Sequence, residues 1–162
     1  MSKQASYTFA QTFKMQLSSF ILAVSGLWAT FAAANQCTGH KENAGYCTTL
    51  TYEDRTTANA SPPSAAQCER SCKGVLTDAG DWVVVFNGKP AGYVQHMVNS
   101  DCSFSVGRGK GEPSDYQFYM DNQDIVDIID EVNVRFGGKH GGRVSAQGTM
   151  KCQGRLATWY VD

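Results

Sequence analysis

The stretch from residue 121 to residue 136, DNQDIVDIIDEVNVRF, limits the fold most strongly, because its apolar residues follow the repeat of an α-helix of about four turns. Asp121 or Asn122 can cap the first turn, and Gly137 and Gly138 follow the last one. The opposite side is polar, so we expect a surface helix with one apolar face packed on a sheet. The apolar residues are Ile125, Ile128, Ile129, Val132 and Phe136, and the polar ones are Asp127, Asp130, Glu131 and Asn133.

The chain begins with a segment of a different kind. Residues 15 to 34, MQLSSFILAVSGLWATFAAA, follow Lys14 and combine an apolar run with small residues at the end, which is typical of a secretory signal peptide. A membrane anchor is the alternative, but the apolar core from Phe20 to Trp28 is too short to cross a bilayer comfortably. We therefore expect residues 1 to 34 to be removed on export and the mature protein to be secreted and extracellular.

The charge of the mature chain is mildly acidic. Removal of residues 1 to 34 takes away Lys3 and Lys14 and no acidic residue, which leaves 12 basic against 15 acidic residues, a net charge of -3. Nucleic acids and anionic membranes attract basic surfaces. The balance therefore argues against a nucleic-acid partner, and we expect no stable insertion into a membrane.

All cysteines of the chain lie after residue 34, and their number is even. An even set confined to the exported part predicts three disulfides formed in an oxidising compartment. A metal site is the alternative, but there is no C-x-x-C pair and the histidines have no ligand-like spacing, so we expect no metal and no other cofactor. The cysteines are Cys37, Cys47, Cys68, Cys72, Cys102 and Cys152. Residues 35 to 46 are then an N-terminal segment pinned by a disulfide, and residues 47 to 162 form one domain.

The remaining pattern adds a second helix and about six strands. Residues 35 to 63 are polar and predict an extended or looped segment. Ser64 can cap a helix to Leu76, on which Cys68 and Cys72 are one turn apart, so each should pair with a cysteine elsewhere. The predicted strands are 82 to 86, a central strand followed by the turn Asn87-Gly88, then 90 to 98, 102 to 106, 116 to 120, 144 to 152 and 156 to 161.

These elements predict an α+β fold. Short turns join most of the strands, so the sheet should be antiparallel. Each helix has one apolar stripe, and the side of the sheet that carries Ser103 and Ser105 looks solvent-tolerant. We therefore expect a two-layer sandwich, stabilised by disulfides, in which both helices cover one face of a single sheet.

Several short motifs occur in a fixed order between residues 47 and 160. They are a cysteine pair with Ser-Pro before the second cysteine (Cys47, Ser61, Pro62, Cys68), a C-x-F strand (Cys102, Phe104), a D-[IV]-x-D-[IV]-[IV] helix (Asp124, Ile125, Asp127, Ile128, Ile129), a G-x-[MV]-x-C strand (Gly148, Met150, Cys152) and a late Trp159. In this order and spacing the chain resembles the fungal extracellular-protein-2 effector family, also known by its necrosis-inducing-factor domain. Cys37 and Cys72 resemble an added pair beyond the usual four cysteines of that family, and Gln67 stands where an Asp is common.

The resemblance implies a secreted fungal protein that acts between host and fungus or on competing microbes. It also implies a fold similar to that of the smut-fungus virus killer toxin, a two-layer α/β sandwich. Members of the family are regarded as virulence factors or necrosis elicitors, without an established enzymatic activity.

A hydrolase is the main alternative from another class. Small secreted fungal ribonucleases place His, Glu and Arg on a sheet, and acid-base catalysis needs two such groups near one phosphate. Only His96 lies on a predicted strand, with no carboxylate evidently opposite it, and the acidic residues Asp124, Asp127, Asp130 and Glu131 form the wet face of a helix. We therefore expect no catalytic residues. The His, Glu and Arg residues available for such catalysis are His40, His96, His140, Glu53, Glu112, Arg55 and Arg108.

Two glycine-rich basic loops are the candidate interaction sites. Residues 107 to 111 and 137 to 143 contain Arg108, Lys110, Lys139 and Arg143, whose positive charges could contact an anionic group on a partner. Each loop can equally be a flexible connection. Strand aromatics could form a sugar platform, but such residues more often belong to a core. These aromatic residues are Trp82, Tyr93, Tyr116, Phe118 and Trp159.

The sequence thus predicts a secreted, disulfide-stabilised effector that acts by binding a host receptor or a host membrane target and not by catalysis. An antimicrobial killer-type toxin against competing fungi is one alternative, and a small secreted hydrolase such as a ribonuclease is another. The pattern leaves the target, the disulfide pairing and the oligomeric state open.

Overall fold

The computed structural model describes Cys37 and residues 45–78 and 80–162. The predicted signal peptide at residues 1 to 34, most of the segment 35 to 46 and the candidate His40 lie outside these described residues. Two helices are present, α1 at Ala65–Thr77 and α2 at Asn122–Phe136. The strands are β1 at Cys47–Thr49, β2 at Glu53–Asp54, β3 at Trp82–Val85, β4 at Val94–Val98, β5 at Phe104–Arg108, β6 at Gln117–Met120, β7 at Ala146–Cys152 and β8 at Arg155–Val161.

The larger sheet is antiparallel and has the strand order β1-β7-β8-β5-β4, with β2 also paired to β7. Its centre is the β7–β8 hairpin, whose turn places Gln153 (φ 50°) and Gly154 (φ 86°) in the left-handed region that tight two-residue hairpins require. β1 and β2 come from the segment that the sequence predicted to be extended or looped. The α+β class and the antiparallel pairing are confirmed.

The predicted single sheet with β3 at its centre is wrong, because β3 pairs with β6 in a separate two-stranded sheet. The predicted hairpin between β3 and β4 does not pair its backbones. Instead, the Gln95 side chain on β4 accepts a hydrogen bond from the Val85 N–H (2.9 Å) and donates one to the Val83 carbonyl (2.7 Å). A side-chain amide thus takes the place of a strand along this edge of β3. The segment 90 to 93 is a turn instead of strand, with Gly92 at φ 81°.

Helix α2 has the predicted bounds but not the predicted exposure. Asp121 caps it and forms a capping box with Asp124. The expectation of a surface helix with one buried face is wrong, since Asp124 is 7% and Asp130 only 3% exposed. The reason is that both α1 and β1 pack against α2. Side chains of α2 outside its apolar stripe are therefore covered as well. The side chains that reach solvent form a narrow strip that includes Val134 and Arg135.

The faces of the larger sheet differ in character. The inner face is apolar and fully buried, with Phe104, Val106, Met150, Trp159 and Val161 among its residues. On the outer face, Cα partners form one polar row across five strands, consisting of Glu53, Gln147, Tyr160, Ser105 and His96. The outer face was predicted to be solvent-tolerant at Ser105, but Ser105 is only 6% exposed because its partners on the neighbouring strands flank it.

Every cysteine is in a disulfide, as predicted. The pairs are Cys37–Cys72, Cys47–Cys152 and Cys68–Cys102. Cys68 and Cys72 pair with different parts of the chain, so α1 is held by two covalent links, as their spacing predicted. The added cysteines of the sequence pattern, Cys37 and Cys72, pair with each other.

Candidate functional site

A cleft of about 530 Å³ lies between α1, the start of β3 and the turn between β4 and β5. Its size is within the usual range of small-molecule sites, about 300–1,000 Å³. The lining combines an apolar floor with a polar rim, which is the composition expected of a site that binds and orients a ligand. We call the apolar lining residues the floor, namely Val75, Trp82, Met97 and Val98, with Gly74 beside them, and the polar lining residues the rim, namely Gln67, Arg70, Ser71, Asp78, Asn99, Ser100 and Asp101.

Trp82 is held in position by the N-terminus of α2. Its indole N–H donates a hydrogen bond to the Asn122 side-chain oxygen, and the Asn122 amide in turn donates to the Asp78 carbonyl. The N–H edge is directed at Asn122, which does not line the cleft, so the surface that the indole ring can offer to the cleft is its apolar part. Trp82 is half-buried, so part of that ring surface is accessible.

The walls of the cleft are joined to each other. The Cys68–Cys102 disulfide links α1 to the β4–β5 turn. The hydroxyls of Ser71 on α1 and Ser100 in the same turn lie 2.6 Å apart. A covalent link and a hydrogen bond beside the lining residues restrict their relative motion. The cleft is therefore preformed, which lowers the ordering cost of binding.

The rim is weakly acidic. Asp78 and Asp101 are opposed by Arg70 alone, whose guanidinium lies 3.9 Å from the Asp101 carboxylate. Both groups of this ion pair are largely exposed, so the pair contributes little to stability and can open to a ligand. The excess negative charge disfavours an anionic ligand.

The predicted interaction residue Arg108 is used internally. Its guanidinium donates hydrogen bonds to the carbonyls of Ser114 (2.8 Å), Lys89 (3.0 Å) and Phe86 (3.4 Å) and lies over the Phe86 ring. These contacts join the β3–β4 loop, which contains Phe86 and Lys89, to the β5–β6 loop, which contains Ser114. Of the cations in the loop 107 to 111, Lys110 is the one with an exposed position.

The second basic loop is also anchored. Arg143 donates to the Pro62 carbonyl (2.9 Å), and the Lys139 ammonium lies 5.1 Å from the centre of the Phe136 ring. Both residues are exposed. The two loops lie at opposite ends of the larger sheet, because residue 143 precedes the β7 end that pairs with Val161, whereas Arg108 pairs with Ala157. They therefore do not form one anion-binding site.

The candidate acid-base groups are spread across the fold. His96 and Glu53 do lie in one row of the outer face, but four strand spacings separate them, roughly 19 Å. His96 contacts Ser105 (2.9 Å), and Glu53 accepts a hydrogen bond from Gln147 (2.7 Å), whose oxygen in turn accepts one from Arg55. One phosphate cannot reach both His96 and Glu53.

The other candidates have structural partners. His140 lies 2.8 Å from the Asp54 carboxylate. Burial alone would raise the pKa of Asp54, but hydrogen bonds from His140 and Thr56 outweigh it and hold the pKa below its ordinary value. Glu112 accepts from the Leu156 N–H (2.8 Å) and pairs with Arg155. Among the described residues, no cluster of His, Cys, Asp or Glu has the arrangement of a metal site.

The comparison with known families decides the identity of the domain. Residues 46–152 match the Hce2 profile, described as "Pathogen effector; putative necrosis-inducing factor". The chain belongs to the Hce2 family. The matched residues include every described residue that lines the cleft, so the cleft lies within the Hce2 region of this chain.

A curated relative places an Hce2-like segment within a much longer protein. The chain is 30% identical over 119 residues to a secreted chitinase, LysM12, of the fungus Penicillium expansum. The match covers 68% of this chain but only 7% of the chitinase. The effector family, the secreted relative and three disulfides are together consistent with an extracellular location. In the described part of the chain, no helix is long and apolar enough to span a bilayer.

Sequence patterns did not reveal the cleft of this Hce2 protein. Its rim residues Asn99, Ser100 and Asp101 lie between the predicted strands 90 to 98 and 102 to 106, and Arg70 lies within the helix predicted from Ser64 to Leu76, so no motif marks them as ligand contacts. Tyr116, Phe118 and Trp159 are buried, as expected for strand aromatics, whereas Trp82 and Tyr93 are only partly buried. The partial exposure of Trp82 depends on the positions of α1 and the β4–β5 turn, which line the cleft with it. Local sequence patterns do not predict how such distant elements pack.

Proposed function

We propose that the protein is a secreted effector that acts by binding a host target through the Trp82 cleft and performs no catalysis. The cleft is the observation that carries this proposal. It combines an apolar floor, convergent polar groups and joined walls in one place, and it lies within the region that matches the effector family. Such a site supports recognition without further rearrangement.

Binding without catalysis is supported by the position of the ionisable groups. Asp78 and Asp101 are the carboxylates of the cleft, and both are exposed to solvent. The acid of a glycoside hydrolase works in a buried, apolar setting next to a second carboxylate. The separation of His96 from Glu53 on the outer face likewise argues against phosphodiester cleavage.

The proposal is tested by infiltrating plant leaves with purified mature protein and with a Trp82→Ala variant. We expect necrosis with the wild type and a large loss of it with the variant, since the variant removes the aromatic surface of the cleft. Tyr119→Ala is the matched control, because Tyr119 is an aromatic residue that is 40% exposed on β6 and does not line the cleft. Full necrosis with a folded Trp82→Ala protein would exclude the cleft as the effector site.

The exposed lysines of the two basic loops are proposed as additional contacts with a host receptor or a membrane headgroup. Lys110→Ala combined with Lys139→Ala tests them, because neither side chain is needed to join elements of the fold. Arg108 is unsuitable for this test, since its loss would leave three carbonyl contacts unmade. Arg143 is tested separately with folding monitored, because it contacts Pro62. Necrosis unchanged in the lysine pair would remove them from the proposal.

An antimicrobial protein directed at competing fungi is the second candidate. The observation that favours it is the curated relative, a secreted chitinase, because chitin is a polymer of fungal cell walls. Growth inhibition of yeast and filamentous fungi by the same protein samples, without leaf necrosis, would favour this candidate. Turnover of RNA or of chitin by the purified protein would instead establish a small hydrolase.

A further inference from the structure

We propose that the Trp82 cleft binds an N-acetylated pyranose, such as the β-linked N-acetylglucosamine unit of a polysaccharide or glycoprotein. This inference takes the cleft of the proposed function as its site and adds the chemical class of its ligand. It follows from the floor, the rim hydroxyls and the charge of the cleft.

The floor of the cleft fits a sugar ring with an acetamido group. One face of a pyranose is made of C–H groups, and these pack on the apolar surface of an indole such as Trp82 while the hydroxyls at the ring edge remain free to form hydrogen bonds. Val75, Met97 and Val98 extend the apolar surface beside Trp82. An acetamido methyl group would be buried on this extension, whereas a hydroxyl in the same place would lose its hydration without gaining a partner.

A hydroxyl pair of the cleft can accept a hydrogen bond from a ligand. Ser71 contacts the Gln67 carbonyl (3.2 Å), Ser100 contacts the Cys102 carbonyl (2.8 Å), and the two hydroxyl oxygens contact each other (2.6 Å). Each hydroxyl oxygen has one proton and two lone pairs, so these contacts leave lone pairs on the serine oxygens that can accept a further hydrogen bond. An N–H or O–H group of a ligand can donate to such a lone pair, and an acetamido group carries an N–H next to its methyl.

The charge of the rim selects among hydroxyl-rich ligands. Asp78 and Asp101 against Arg70 leave an excess of one negative charge, which disfavours phosphorylated or acidic sugars. Gln67 and Asn99 add neutral amides, which can donate and accept hydrogen bonds with sugar hydroxyls. The cleft is thus matched to an uncharged polyol with one apolar substituent.

The test compares two disaccharides that differ only in the acetamido groups. Mature protein is titrated with N,N′-diacetylchitobiose and with cellobiose, and heat and tryptophan emission are recorded. Trp159 is 0% exposed, so a change in emission reports the partly exposed Trp82. We expect N,N′-diacetylchitobiose to bind about tenfold more tightly than cellobiose, because only it carries the amide N–H and methyl.

Variants locate the binding. Trp82→Ala should weaken N,N′-diacetylchitobiose binding by about tenfold, whereas Trp82→Phe should retain part of it and Tyr119→Ala all of it. Trp82→Phe keeps the test valid if Trp82→Ala fails to fold. Equal affinity for the two disaccharides, no binding of either, or binding that is unaffected by both Trp82 variants would overturn the inference.

The outcome is separable from that of the proposed function. If Trp82→Ala abolishes leaf necrosis while the wild type binds neither disaccharide, the cleft remains the effector site and the sugar is wrong. If the wild type binds N,N′-diacetylchitobiose through Trp82 while the Trp82→Ala variant still causes full necrosis, the ligand class is correct and the cleft is not the effector site.

Discussion

The backbone N–H of Cys47 donates a hydrogen bond to the Asp124 carboxylate, with the two atoms 3.1 Å apart. The same carboxylate accepts from the N–H groups of Tyr46 (3.0 Å) and Asp121 (2.8 Å). One side chain at the start of α2 thus satisfies its own helix cap and fixes the beginning of β1, which the Cys47–Cys152 disulfide ties to β7. Asp124 therefore connects a helix to the edge of the larger sheet.

Replacing Asp124 by Ala should destabilise the protein by about 3 kcal/mol, because it leaves three N–H groups without their acceptor at about 1 kcal/mol each. Burial raises the pKa of Asp124 in spite of these bonds, so a neutral isostere is partly tolerated. Asp124→Asn should therefore be milder. The single oxygen of Asn can still accept from the N–H groups of Tyr46 and Asp121, which share one carboxylate oxygen in the wild type, and only the bond from Cys47 is lost. Urea unfolding of both variants tests this order. Equal stability of Asp124→Ala and wild type would contradict it.

Gly148 on β7 lies where a side chain cannot fit. A Cβ at this position would be 1.9 Å from the Thr51 carbonyl oxygen and 2.3 Å from the Trp159 ring. Backbone and a fully buried indole cannot move aside easily, so Gly148→Ala should cost about 3 kcal/mol from overpacking. Gly138→Ala is the matched control, because a Cβ there meets nothing within 4 Å. Equal unfolding temperatures of the two variants would show that the packing around Trp159 leaves room for a side chain at residue 148.

The motifs that carried the family resemblance acquire physical roles in the structure. Gly148 makes room for Trp159, and Asp124 holds the backbone of Cys47, which is bonded to Cys152. Sequence reasoning identified all of these positions but assigned Asp124 to a wet helix face. Helical periodicity reports apolar residues, and it cannot show that a polar residue is buried against backbone N–H groups from a distant strand.

Acid should break the link between His140 and Asp54. The lowered pKa of Asp54 means that its ionised form is favoured in the folded protein, so this contribution to stability is present above the unfolded pKa of about 3.9 and is lost as the pH falls through the folded value. In His140→Ala the pKa of Asp54 should rise toward the ordinary value. Carboxyl-carbon NMR titration measures it directly.

The neighbouring residue provides the control for this titration. Lys139→Ala removes a charge from the same loop without removing a hydrogen bond to Asp54, so the pKa of Asp54 should stay low. A pKa that is at the ordinary value in the wild type, or that His140→Ala leaves unchanged, would mean that the pair is not formed in solution.

Local pattern predicted both helices and most strand positions, because periodicity, caps and turn residues act over a few positions. The pairing of β3 with β6 was not predictable in this way. Hairpin connection favours β4 as the partner of β3, and only the fold as a whole shows that a single side chain, Gln95, replaces that pairing. The cleft was not predicted for a related reason. Its lining comes from α1, β3 and the β4–β5 turn, and local patterns do not show that these elements meet.

The Gln95 contact also predicts how the two sheets stay joined. Gln95→Ala should leave the Val83 carbonyl and the Val85 N–H at an open strand edge, at a cost of about 1–2 kcal/mol. The Val85 amide should then exchange its hydrogen with solvent faster, and the open edge should increase aggregation on storage. Gln117→Ala is the matched control, because Gln117 is exposed on β6, the other strand of the small sheet. Hydrogen exchange at Val85 that is equally slow in both variants would show that another group satisfies this edge and that Gln95 does not join the sheets.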